Sequence, residues 1–306
     1  MPSYFTGANW YKGALHCHTS VSDGAVPPLE LIRRYRARGF SFAAITDHDF
    51  LGYYPESEDD AFVCLAGAEL IQRVDEFNDK YRGTHIVTLA RELSGEFGTL
   101  GVRVEYKDTT SVSDLNSYLL RRRQAGNMMI LAHPYWSYLD FEDVARLNHC
   151  FAMELFNGVA NSMGLGESLP YWDYALRRGK RIFGVATDDH HALGGDFAAG
   201  WVCVRADILS RQAIFESLLS GNFYSSTGPA ILDYGIDSGK VYVRSAPARA
   251  IRFIAYGPDC EPDLTILNNP GPFEYGEYKL TGRESYVRAE VVGVDGGHAW
   301  TNPVFF

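Results

Sequence analysis

The chain has 306 residues, 46% of them apolar, and a formal net charge of −10, which describes a folded protein large enough for one α/β domain with a smaller appendage or for two ordinary domains. That acidity argues against general binding to a nucleic-acid backbone, which needs a basic surface to release counterions, and no run approaches the roughly 18 consecutive apolar residues of a membrane span. The five cysteines (17, 64, 150, 203 and 260) are odd in number and form no C-x-x-C pair, which argues against a disulfide framework or a thiolate zinc site; with an opening MPSYFTGANWYKG that lacks the marks of a secretory leader, they predict a cytoplasmic chain of reduced thiols.

In chain order, ALHCH (14–18) reads as a strand, and PPLELIRRYRARG as a helix opened by proline and stopped by Gly39. FAAIT follows as a continuous apolar run, the pattern of a strand buried on both faces. AFVCLAG, HIVTLA, MMILAH, FAMELF and RIFGVAT repeat that pattern, with helical segments SVSDLNSYLLRRRQAG, FEDVARLN, SLPYWDYALRRG and SRQAIFESLLSG among them. Such alternation predicts a parallel sheet with crossover helices. His18, Asp47, Glu69, His133 and Asp188 each sit at or just past the end of a predicted strand. Polar groups gathered from the carboxyl ends of many strands favour a barrel, whose strand ends share one mouth, over an open sheet with a single crevice. From about residue 222 the pattern changes to alternating apolar and polar residues with Gly, Pro and Asp clusters, which reads as short antiparallel strands. The predicted division is therefore a metal-binding barrel over 1–222 and a β-rich C-terminal segment over 223–306.

Side chains two apart on a strand share a face, so His16 and His18 can reach one point while Cys17 faces away into packing. TDHD (46–49), GAEL with Glu69, AHP with His133 and TDDHH (187–191) follow at strand ends, and His85 opens a further apolar run. Seven of the nine histidines thus lie at strand edges, near carboxylates. A set of imidazoles and carboxylates without thiolates suits zinc, manganese or iron(II), and its composition does not choose among them.

Taken together, LHCHTSVSDG, ITDHD, GAEL, HIVTL, AHP and TDDHH resemble, in the same order, the motifs of the polymerase and histidinol phosphatase (PHP) superfamily of metal-dependent phosphoesterases. The resemblance spans roughly residues 13–191 and implies a distorted TIM-like (β/α)7 barrel with two or three metal ions at its mouth. Carried over position by position, it implies one ion on His16, His18, Glu69 and Asp188, a second bridged by Glu69 and held by His85 and His133, and a third among Asp23, His48 and His190. Asp23 departs from the pattern, since several members place a histidine there. GNFYSSTGP and HAWTNPVFF also resemble stretches of a carbaryl-hydrolase-like branch, some of whose members hydrolyse aryl carbamates.

The expected reaction is hydrolysis of a small phosphomonoester or phosphodiester, with hydroxide held between the ions as nucleophile. Carbamate or ester hydrolysis at the same metals is the alternative, and a catalytically silent metal-binding module is a third. His190 or His191 can protonate the leaving group, because imidazole titrates near working pH, and Asp47 is expected to orient a ligand histidine. Asp49 is read as a similar partner or a cap, and Glu154 and Asn157 as lining the mouth or packing a turn. Tyr135 and Trp136 read as a substrate wall or plain core, His149 as a solvated residue of a helix-like stretch, and His298 as part of a turn. Arg121, Arg122 and Arg123 read as a solvated helix face complementing the helix dipole, and SSTGP (225–229) as a joining turn or a loop over the mouth. The expected partner is a small ester, phosphorylated in the leading reading, with no membrane and no nucleic acid; nothing in the sequence sets an oligomeric state.

Overall fold

The computed structural model describes residues 9–77, 83–91, 111–192, 194–257, 260–266 and 272–306; residues 1–8, with which the chain opens, and the Cys260 side chain lie outside the described residues. The first seven strands are β1 (Asn9–Ala14), β2 (Phe42–Ile45), β3 (Val63–Gln72), β4 (Thr84–Ala90), β5 (Met128–Leu131), β6 (Ala152–Asn157) and β7 (Phe183–Thr187), neighbours in that order. Between them run α1 (Pro28–Ala37), α2 (Val112–Gln124), α3 (Phe141–Arg146), α4 (Gly158–Ser162) and α5 (Leu169–Arg177). The pairs β1–β2, β2–β3, β5–β6 and β6–β7 are parallel. By contrast β4 runs antiparallel to both neighbours, which corrects the all-parallel expectation and is the distortion of the barrel. The ring closes where residue 17 bridges residue 190 in parallel, through His18 N–H to His190 O (2.8 Å) and Asp189 N–H to His16 O (3.0 Å).

Strand alternation explains the two faces. Phe42, Ala44, Leu65, Val87, Leu89, Met128, Ile130, Ala152 and Val185 belong to one buried cluster inside the ring, whereas Ala43 and Ile45 pack outward on Leu31, Ile32 and Tyr35 of α1. β2 is thus apolar on both sides, as a strand covered by a helix must be. Farther along, β8 (Trp201–Ala206) pairs antiparallel with β1, and α6 (Arg211–Leu219) packs Ile214, Phe215 and Leu218 onto the inner cluster. Ser111 caps α2 by accepting from Asp114 N–H at 3.1 Å, satisfying one of the orphan donors of a helix start.

The C-terminal strands are β9 (Phe223–Ser226), β10 (Ile231–Asp237), β11 (Lys240–Gly257), β12 (Cys260–Ile266), β13 (Phe273–Lys279), β14 (Tyr286–Gly293), β15 (His298–Thr301) and β16 (Val304–Phe305), with antiparallel pairings among them throughout. The short antiparallel strands expected in ILDYGIDSGKVYVRS and RAIRFIAYG are β10 and one strand of 18 residues, β11, which runs from the end of the first stretch through the second. Its register shifts between Arg244 and Ala248, where Pro247, which has no N–H to give a ladder, is accommodated. The sheet does not break at residue 222, because β9 pairs with β8 on one side and β15 on the other. Buried Arg288 of β14 also reaches Asp173 of α5 (Nη2–Oδ1 2.6 Å) and lies over the Trp172 ring.

Smaller expectations change as well. His149 follows α3 rather than lying in a helix and has a left-handed backbone (φ 72°). His298 begins β15 instead of a turn, and its Nδ1 lies 2.6 Å from Glu290 Oε1. Of the three arginines at the end of α2, Arg121 and Arg123 are exposed but Arg122 is buried over the Tyr118 ring. Ser225 and Ser226 of the SSTGP stretch belong to β9, and the Ser225 hydroxyl donates to Gly184 O at 2.8 Å. Among the described residues, no helix is long and apolar enough to cross a membrane, and Cys17, Cys64, Cys150 and Cys203 are free thiols.

Candidate metal centre

At the carboxyl ends of the parallel strands, inner-face parity continues past the apolar layer and delivers polar groups to one place. On β3, Glu69 shares its face with Leu65. On β4, His85 shares a face with Val87 and Leu89, and because β4 runs backwards its beginning lies at the same mouth. Residues 16 and 18 follow β1, 48 follows β2, 133 follows β5, and 189 and 191 follow β7. His133 would face outward by parity, since Met129 and Leu131 do. Its left-handed backbone, φ 27°, breaks the alternation and lets its ring enter the cluster.

Glu69 is the hub. Its Oε1 lies 3.3 Å from His16 Nε2, 2.9 Å from His85 Nδ1 and 3.2 Å from His133 Nε2, and its Oε2 lies 3.2 Å from His18 Nε2 and 3.0 Å from His48 Nδ1. Asp189 Oδ1 completes one side, 3.2 Å from His16 Nε2 and 3.1 Å from His18 Nε2. Toward solvent, half-exposed Asp23 reaches His18, His48 and His191 at 3.5, 3.5 and 3.3 Å. Three overlapping donor sets result: His16, His18, Glu69 and Asp189; His48, Glu69 and His85; and His18, Asp23, His48 and His191.

A cation fits this chemistry. The two Nε2 atoms of His16 and His18 face each other at 3.1 Å, and His48 Nδ1 and Asp189 Oδ1, though within 3.0–3.2 Å of a carboxylate oxygen or imidazole nitrogens, are buried atoms that make no aligned hydrogen bond among the described residues. Nitrogen lone pairs and carboxylate oxygens turned toward one another need either protons or divalent ions between them. The protein's own charges show the same demand. Burial works against charging His16, yet the carboxylates of Asp189, Glu69 and Glu154 outweigh it and hold its pKa well above the ordinary value. For His18 burial is likewise overcome, by Asp189 and Glu69, and its pKa is pushed up to about 9. Burial would raise Glu69, but His16, His85 and His133 hold its carboxyl well below the usual range.

Two expected ligands are corrected by a single step of strand parity. Thr187 faces inward and donates to Glu154 Oε1 at 2.7 Å, so Asp188 faces outward and Asp189 inward. Asp188 Oδ2 instead accepts from Tyr35 O–H of α1 (2.7 Å) and Ala198 N–H (2.8 Å), and burial raises its pKa to about 7. His190 likewise turns away: its Nδ1 lies 3.1 Å from Asp196 Oδ2 and its ring lies against Phe197. His191 takes the place expected for His190, stacked on His18 with ring centroids 4.1 Å apart. Sequence could not choose, because the pairs 188/190 and 189/191 have the same spacing and both faces of β7 are apolar.

Residues behind the donors hold them in place. Among the described residues no hydrogen bond or ion pair joins the Asp47 carboxylate to a histidine; it accepts from Thr19 N–H (2.7 Å), Thr19 O–H (2.7 Å), Ser22 N–H (3.2 Å) and Ser22 O–H (2.8 Å), bracing the loop that carries His18 and Asp23. Gly24 closes that loop, and a Cβ there would stand 2.4 Å from the His18 carbonyl carbon and oxygen. Glu154 does what was expected of Asp47: its Oε1 lies 2.7 Å from His16 Nδ1, and its Oε2 accepts from His133 N–H (2.8 Å) and Asn157 Nδ2 (2.8 Å). Asn157 also donates to Asp189 Oδ2 at 3.1 Å and caps α4 through Ala160 N–H. Ser137, unnoticed in the sequence, lies 3.1 Å from His133 Nδ1. Such partners fix ring orientation and raise ligand basicity. Asp49 is buried with a left-handed backbone (φ 59°), its N–H donating to Glu69 O at 2.8 Å.

The chain is similar to several known proteins. Residues 14–162 match the family model described as PHP domain. A 5′-3′ exoribonuclease of Haemophilus influenzae is 42% identical over 79 residues, which is 26% of this chain and 28% of that protein, so the match spans little more than a quarter of the relative's length. A crystal structure from Bacteroides vulgatus, of a two-domain protein containing a predicted PHP-like metal-dependent phosphoesterase, shares the fold with a TM-score of 0.52 at 16% identity, over 97% of this chain and 96% of that one. An amidohydrolase from Chromobacterium violaceum, with bound sulfate and no metal, has a TM-score of 0.43 at 18% identity, over 69% of this chain and 96% of that one.

Proposed function

We propose that this chain, whose residues 14–162 match the PHP domain model, is a metal-dependent hydrolase cleaving a small phosphomonoester or phosphodiester. One observation carries the reading: three donor sets share His18, His48 and Glu69, an arrangement suited to two or three adjacent divalent ions of manganese, zinc or iron. Such ions acidify a bound water to a pKa of about 7 and neutralise the charge that builds on phosphoryl oxygens.

The chain's own groups would act as follows. Glu69 sits between the sets and would fix their separation, with His133 beside it. Asp189 and the His16/His18 pair close the buried side, while Asp23, His48 and His191 form the side open to substrate. With two ions bound and the outermost donor set left free, His191, 27% exposed with Nε2 3.3 Å from Asp23 Oδ2, would be suited to pass a proton to a leaving alkoxide. Asp188 and His190 face away and are given no part in it.

The exoribonuclease likeness covers a fragment, and a net charge of −10 opposes a long phosphate backbone, so a mononucleotide-sized ester is the nucleic-acid substrate worth including. A cytoplasmic setting accords with the free thiols. The test is elemental analysis of the purified protein, followed by incubation of manganese- or zinc-loaded enzyme with p-nitrophenyl phosphate, bis-p-nitrophenyl phosphate, 5′-AMP and 1-naphthyl N-methylcarbamate. Phosphoester turnover that disappears in Glu69→Ala and Asp189→Ala supports the proposal. Turnover of the carbamate alone replaces phosphoester with carbamate chemistry, and no turnover of any of these substrates by metal-loaded protein, or turnover that both substitutions leave unchanged and that therefore arises elsewhere, assigns a catalytically silent module.

A further inference from the structure

We infer that the segment after β5 builds a subsite for a flat aromatic group of the substrate, beside the metal centre; this rests on the phosphoester reading above and names its substrate class. The segment HPYWSYLDF (133–141) starts at His133 and carries Tyr135, Trp136, Tyr138 and Phe141. Half-buried Trp136 sets its ring at a steep angle to two candidate ligands, with centroids 4.8 Å from His133 and 5.8 Å from His85 and interplanar angles of 72° and 68°. The indole is therefore a side wall of the metal centre. In the same segment Tyr135, Tyr138 and Phe141 are 41%, 53% and 44% exposed, and exposed aromatic side chains gathered near a polar site mark a binding surface.

The rings are held in advance of any ligand. Ser137 N–H donates to His133 O (3.0 Å), Tyr138 N–H to Tyr135 O (3.1 Å) and Leu139 N–H to Pro134 O (3.1 Å), making consecutive turns. From α5, Tyr171 donates to Leu139 O at 2.9 Å and its ring supports Phe141 at 4.6 Å and Tyr135 at 6.2 Å. A wall ordered before binding loses little freedom on binding. Stacking on aromatic side chains accepts any flat ring, whether a nucleobase or an aryl group. A phosphoester with its phosphoryl group at the donor sets would lay such a ring against Trp136.

The experiment uses ligands that are not hydrolysed. Calorimetry of the manganese-loaded protein compares phenylphosphonate with methylphosphonate, and the phosphonate analogue of AMP with both. The expected preference for phenyl over methyl is about 10-fold, falling toward one in Trp136→Ala and being largely kept in Trp136→Phe. Tyr138→Ala, on the exposed surface, is expected to reduce the preference in part without touching the packing at His133. Tighter binding of the AMP analogue than of phenylphosphonate assigns the patch to a nucleobase; equal or weaker binding assigns it to an aryl ring. Equal affinity for phenyl and methyl, or a preference indifferent to both alanine substitutions, overturns the subsite while leaving the phosphoester reading intact. Failure of both phosphonates to bind overturns both.

Discussion

Asp188 and Asp189 are adjacent in sequence and opposite in consequence, which makes them a sharp test of the site. Asp189 Oδ1 stands 3.1–3.2 Å from two imidazole nitrogens. Partners of metal ligands, one bond removed from the ion, already change metal affinity 10- to 100-fold when mutated. Loss of a direct donor in Asp189→Ala is therefore expected to lower affinity by on the order of 100-fold or more, about 2.8 kcal/mol at 1.4 kcal/mol per tenfold. Asp188→Asn is nearly isosteric. Its carbonyl oxygen can still accept from Tyr35 and Ala198, and burial already raises the native pKa to about 7, so a neutral side chain suits the cavity. It should cost about 1 kcal/mol of folding stability and leave metal affinity within about threefold. Titrating apoprotein with manganese or zinc against a chelating indicator, with denaturant unfolding in parallel, measures both quantities. Loss of metal in Asp188→Asn, or retention in Asp189→Ala, would refute the assignment of inner and outer faces.

Glu154→Gln should weaken metal binding by about 10- to 100-fold, since it replaces the carboxylate that orients His16 and anchors His133 N–H; the same indicator titration checks it. Asp173→Ala strands the buried Arg288 guanidinium and should destabilise the fold by about 3 kcal/mol, whereas the double variant Asp173→Ala/Arg288→Met should recover part of that loss in urea unfolding. Glu284 accepts from Thr281 N–H and O–H, Tyr278 O–H, Gly282 N–H and Arg283 N–H. Burial opposes its charge, but these donors prevail and its pKa falls to about 2. An acid depressed on folding stabilises above its unfolded pKa and loses that contribution as pH falls through the folded one. Wild type should thus exceed Glu284→Gln in stability at pH 7, with the gap narrowing from about pH 4.5 toward 2; denaturant midpoints across that range would show it, and a constant gap would contradict it.

Much of the site was visible because its parts obey the two-residue period of strands. His16 and His18 were placed together and Cys17 apart, as found, with Cys17 packed near Tyr35. Glu69, His85 and His133 were each legible as a polar residue at the edge of an apolar run. What escaped was whatever depends on more than one strand. The backward course of β4 leaves the same apolar signature as a forward strand, and β7, buried on both sides, offers no polar face from which to count to Asp189. Glu154 and Asp47 exchanged duties because hydrogen-bond partners come from segments distant in sequence: the Glu154 carboxylate meets a ring 138 residues away. The 18-residue β11 read as two strands because Ala246 and Pro247 look like a turn until the flanking sheet is present.

The ring's weakest join coincides with its chemistry. Among the described residues β7 and β1 share no extended ladder but two peptide hydrogen bonds just beyond their ends, and the residues that make them, His16, His18, Asp189 and His190, lie among the donor side chains or beside them. An ion gripped from both edges would rivet that seam, so occupancy and mechanical integrity of the barrel become one equilibrium by mass action. The amides of His18 and Asp189 then become natural reporters: their exchange with deuterated solvent should slow on loading far more than that of β2 or β3, which are laced on both sides whether or not a cation is present.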